Sequence, residues 1–145
     1  MTNNKLRIHI KNNHASLGTF PPTIEGEEVF TITEAHFQVA CQRFPAVAEQ
    51  VEAFIDWDLE HFTESMETAD VLVTWDFPTT NLAKVAPRLK LIHIIGAGVE
   101  HLCPMDWVPE GVKVVNNRGV HAAKGGEFGM MAAVSYTHLT LPTKA

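Results

Sequence analysis

The chain has 145 residues, 46% of them hydrophobic and 19% charged, with a formal net charge of −6. That is enough for one domain with a core, and too apolar for a disordered segment. The negative charge, with no Lys/Arg run to offset it, argues against nucleic acid and anionic lipid as partners, and no apolar run approaches the roughly 18 residues that a membrane helix needs.

The start, MTNNKLRIHI, has no long apolar stretch and no small-residue cleavage site, so no secretory signal is read there. In KLRIHIK (5–11), Leu6, Ile8 and Ile10 alternate with Arg7, His9 and Lys11. Period two predicts a strand with one wet face, near a sheet edge. Asn12 to Glu28 reads as a long loop and VFTIT (29–33) as a short extended piece. Thr33 can cap a helix with Glu34 in its first turn; Phe37, Ala40, Cys41 and Phe44 form its apolar stripe, and Pro45 stops or bends it. Cys41 and Cys103 lie far apart and form no CxxC motif, which suits a reducing, cytoplasmic setting.

Further strands are predicted at VEAFIDW (51–57), VLVTW (71–75), LKLIHII (89–95) and VKVVN (112–116). Between them fall a short helix over 59–68 and another that Asn81 can cap and Pro87 ends after about two turns. A helical pattern covers 120–134, where Phe128, Met131 and Ala132 share a face. Strands alternating with helices predict a parallel α/β sheet.

The stretch LIHIIGAGVEHL (91–102) sets strand, glycines and helix start in the order of a dinucleotide cradle. The full pattern needs a third glycine for close helix–strand packing and an acid at the next strand end for the ribose. Here those places hold His101 and Asn116-Asn117, so the pyrophosphate reading fails on two counts. Two readings stay open. Backbone amides at a strand's carboxyl end suit a small carboxylate, and glycines also serve tight turns for backbone reasons alone.

Three stretches, ADVLVTWDFP, APRLKLIHIIGAGVEHL and VPEGVKVVNNRGVHAAKGGEFGMM, together resemble the N-terminal part of the D-isomer-specific 2-hydroxyacid dehydrogenases. The resemblance runs over roughly residues 5–134 and is densest from Ala69 to Met131; GAGVEH and RGVHAAKGGEF are its most diagnostic pieces. It implies a flavodoxin-like substrate domain, incomplete here, with a crossover helix leading to a Rossmann domain missing from this chain. It implies residues 1–117 as part of the substrate domain and 118–134 as the crossover segment. It implies a parent enzyme that moves a hydride between NAD or NADP and a small 2-keto or 2-hydroxy acid, commonly as a homodimer. The matching substrate-binding positions are Ala97, Gly98 and Val99, and the matching cofactor contact is Gly125. Gly125-Gly126-Glu127 departs mildly from the family's usual V/T-A-E, and Glu127 reads as structural. The family's Arg, Glu and His, which hold the substrate and supply the proton, match nothing in this chain, so alone it is expected to be inactive. Of the eight histidines, none pairs with a carboxylate at a telling sequence spacing; His101 and His121 lie nearest the inferred site, and His36 and His61 read as solvated.

The end, SYTHLTLPTKA (135–145), reads as a non-native, adapter-like tail or as the disordered end of a natural truncation: Ser135, Thr137 and Thr140 break the helical pattern and Pro142 forbids its continuation. Two alternatives remain beside the dehydrogenase fragment. One is a stand-alone flavodoxin-like binding or regulatory module, which the apolar face of 128–134 argues against. The other is a small complete Rossmann protein.

Overall fold

The computed structural model describes residues 5–14 and 31–140. Five strands form one all-parallel sheet: β1 (Leu6–Asn12), β2 (Val51–Trp57), β3 (Val71–Thr74), β4 (Leu91–Ile94) and β5 (Lys113–Asn116). Their order is β2-β1-β3-β4-β5, a flavodoxin-like α/β arrangement. The helices are α1 (Glu34–Arg43), α2 (Pro45–Ala48), α3 (Phe62–Met66), α4 (Leu82–Val85) and α5 (Ala122–Thr140). Two 3-10 turns, Glu100–Leu102 and Met105–Trp107, connect β4 to β5.

The register sorts side chains onto two faces. His9, Leu72, Ile92 and Val114 pair across the sheet, as do Lys11, Thr74, Ile94 and Asn116. Leu72, Ile92 and Ile94 on this face join Phe62 and Met66 of α3, Leu82 of α4, Phe77, Leu89 and Leu102 in the core. On the opposite face Val71, Val73, Leu91 and His93 are only half-buried and Val115 is 44% exposed.

The alternation of KLRIHIK does set β1, but its polarity and place differ from expectation. β1 lies between β2 and β3, and β2 takes the edge. His9 and Lys11 are 0% and 2% exposed. The reason is tertiary: the His9 ring stacks on Phe54 of the neighbouring β2 at 4.9 Å and meets Sδ of Met66, on α3 over that face, at 3.2 Å. Burial lowers the His9 pKa from 6.5 to about 4, against the opposing pull of Asp56.

Local signals fare unevenly. Thr33 caps α1 through the His36 amide, and the His36 ring accepts from the Thr33 amide in return. The expected stripe on α1 has no buried member, and Phe44 is 63% exposed. Pro45 ends that helix and opens α2 as its first residue. Asn81 makes no side-chain cap; it sits left-handed at φ 56°, and α4 has four residues, shorter than expected. Thr31–Thr33 form no strand, while Val29, Phe30 and most of the 12–28 loop lie outside the described residues. The helix begun near residue 120 does not stop at Val134. It runs to Thr140, because Thr137 Oγ1 returns a hydrogen bond to the Ala133 carbonyl (2.8 Å) and β-branched or polar residues cost a helix only about 0.5 kcal/mol each. Pro142 lies outside the described residues.

Candidate functional site

The carboxyl ends of the strands carry the glycine loop. Residues 95–99 leave β4 after Ile95 N has donated to the Thr74 carbonyl (2.9 Å). From the end of β5, two asparagines then hold the loop by its carbonyls. Asn117 Nδ2 donates to Ile95 O (2.7 Å), the Asn117 amide to Gly96 O (2.9 Å), and Asn116 Nδ2 to Ala97 O (3.0 Å). His93 Nε2 in turn donates to Asn117 Oδ1 at 2.9 Å, which fixes that side chain. The carbonyls of Ile95, Gly96 and Ala97 are thereby taken. Among the described residues the N–H groups of Ala97, Gly98 and Val99 meet no acceptor, and all three residues are half-buried. Three consecutive amides without an acceptor are donors that an anion can meet.

The two glycines are needed for different reasons. A Cβ at Gly96 would lie 1.7 Å from Cζ3 of Trp75, so the indole at the end of β3 occupies the space a side chain would take. The same indole stacks on His101 at 4.7 Å, and His101 Nε2 donates to the Trp75 carbonyl at 2.9 Å. A Cβ at Gly98 would instead lie 2.2 Å from a carboxylate oxygen of Glu100. The Glu100 carboxylate thus stands beside Gly98, where its charge opposes an incoming anion.

The strand order reverses between β1 and β3, across β3 from the strand that carries this loop. Lys11 Nζ donates to the Asp76 carbonyl (2.9 Å), as does Thr74 Oγ1 (3.1 Å), so the buried ammonium helps fix the chain after β3. Burial pushes the Lys11 pKa down, and Asp76 and Asp58 oppose that shift. Past β1, the amide and ring of His14 both donate to Asp58, and the ring stacks on Trp57 at 4.4 Å. The His14 amide, followed by its ring, holds the Asp58 carboxyl below its ordinary value.

His14–Asp58 and His9–Asp56 are imidazole–carboxylate pairs that sequence spacing did not reveal, separated by 44 residues in the first case and brought together by strand pairing. Asn116 and Asn117 enter the sequence reading only as missing acids, yet they position the loop. Ala97, Gly98 and Val99 sit together as one open-amide turn. Gly125 does not join them: it lies on α5 with nothing within 4 Å of an added Cβ, and residues 121–137 are exposed throughout. His121, in the turn before α5, is exposed, as are His36 and His61.

Comparison with protein-family models, curated proteins and solved structures found no match. Among the described residues no group of three or more His, Cys, Asp or Glu side chains could hold a metal ion, and no helix is long and apolar enough to cross a membrane.

Proposed function

We propose that this chain forms the substrate side of an NAD- or NADP-linked D-2-hydroxyacid dehydrogenase, a 2-keto acid reductase, with the acid's carboxylate held by the amides of Ala97, Gly98 and Val99. Those three open amides carry the proposal, since they lie at the carboxyl end of a parallel sheet and their neighbouring carbonyls are already bonded. The sequence resemblance supplies the chemistry. In this reading the Arg, Glu and His of hydride and proton transfer, and the main nucleotide site, belong to a domain outside these 145 residues. The exposed apolar side chains of α5, with Phe128 at 67% and Met131 at 57%, suit a helix that a further domain covers.

Titration of the folded chain with pyruvate, followed by backbone amide NMR, tests the carboxylate site. Shifts centred on residues 97–99 are expected, with millimolar affinity. A response elsewhere, or none from a folded sample, overturns it. An assay with NADH or NADPH and glyoxylate, hydroxypyruvate or pyruvate is expected to show no turnover by this chain alone. Turnover refutes the division of labour, and NAD binding without turnover favours a complete small Rossmann protein.

A further inference from the structure

We propose that the cavity between the β3–α4 connection and the second 3-10 turn binds an organic cation, an amine carried on an apolar body, at a site separate from the Ala97–Val99 loop. The cavity measures about 720 Å³, within the range of small-molecule sites. Its lining includes Asp76, Phe77, Ala83, His101, Asp106 and Trp107, and no Lys or Arg.

Three features select the ligand. The first is charge: two carboxylates and no Lys or Arg line the cavity, so a phosphate or carboxylate ligand would meet like charge there. Lys11 Nζ reaches the Asp76 carbonyl and offsets that carboxylate in part, whereas Asp106 has no hydrogen-bond or ion-pair partner among the described residues. Asp106 is therefore the less compensated of the two. The second is donor polarity. The Trp75 carbonyl can only accept, so Nε2 of His101 carries the hydrogen, and Nδ1 of the neutral ring is left as an acceptor. The Asp76 and Asp106 carboxylates and this ring nitrogen accept, and a ligand that donates several hydrogens matches them. The third is the wall. Phe77 and Trp107 meet edge to face at 5.3 Å and 82°, and Trp107 Nε1 donates to the Leu102 carbonyl at 2.7 Å, which fixes the indole. A fixed aromatic pair takes an apolar body and attracts a cation over its face.

The test uses 2-phenylethylamine, 2-phenylethanol and 3-phenylpropionate as probes, with amide NMR as the readout. The amine is expected to shift resonances of residues 76–83 and 101–107. The alcohol is expected to bind at least about tenfold more weakly, and the carboxylate not at all. Asp106→Asn is expected to weaken the amine about tenfold, and Ala83→Phe, which fills the cavity from an exposed position, to abolish binding. Spectra unchanged elsewhere show that both variants fold. Equal binding of amine and alcohol overturns the proposal, as does an amine response scattered over other acidic residues. Pyruvate binding at 97–99 is read independently in the same spectra, so either site can fail without the other.

Discussion

At the amino end of the sheet, Asp70 is 2% exposed and accepts from the Arg7 amide (3.1 Å), Arg88 (3.1 Å) and Lys90 (3.0 Å). Burial would raise its carboxyl pKa, but the Arg7 amide, Lys90 and Arg88 outweigh that and hold it below the ordinary value. At the carboxyl end the balance is reversed: carbonyls are tied down by Asn116 and Asn117, and three consecutive amides are left open. Both ends are polar. Satisfied polar groups at one end fasten strands together; unsatisfied donors at the other leave a place for a ligand.

A pH titration breaks the comparison most strongly from between the two ends, at His9. Its folded pKa lies below the unfolded one, so its contribution is full above pH 6.5 and is lost as the pH falls towards about 4. At about 1.4 kcal/mol per unit this amounts to roughly 3 kcal/mol, read as a falling urea midpoint. His9→Phe is expected to flatten that window. The loss due to Asp70 is expected to survive this change, because a carboxyl held below its ordinary 3.8 loses its contribution only as the pH drops through that lower range.

Asp70→Asn tests the fastened end directly. It removes the charge that Arg88 and Lys90 face, and both can turn to water, so a loss of about 2 kcal/mol is expected by urea denaturation, with pyruvate binding unchanged. Gly96→Ala reaches from structure into the open end. Its methyl group cannot coexist with the present Trp75 ring position, so about 1–2 kcal/mol of stability is expected to go, together with the stacking of Trp75 on His101. The smallest effect sharpens the comparison most. Glu100→Gln removes the charge resting against Gly98 and is expected to raise pyruvate affinity a few-fold with little change in stability. A weaker or unchanged affinity sinks the idea that the Glu100 charge beside Gly98 opposes an incoming carboxylate.

The pattern of the chain was enough to place the strands, since β-branched runs such as VLVT and LIHI read as strands wherever they pack. It also placed the glycine turn and the Thr33 cap, because each depends on residues a few positions apart. Which face of β1 is wet was beyond it. Alternation fixes that Arg7, His9 and Lys11 share a side, but α3, some fifty residues on, decides that the side is interior. The imidazole–carboxylate pairs and the asparagine clamp were hidden for the same reason, as His14 meets Asp58 only through strand pairing. Local sequence sets backbone periods and turns through short-range sterics and hydrogen bonds, whereas burial, and with it which polar groups stay open, depends on what packs across the sheet.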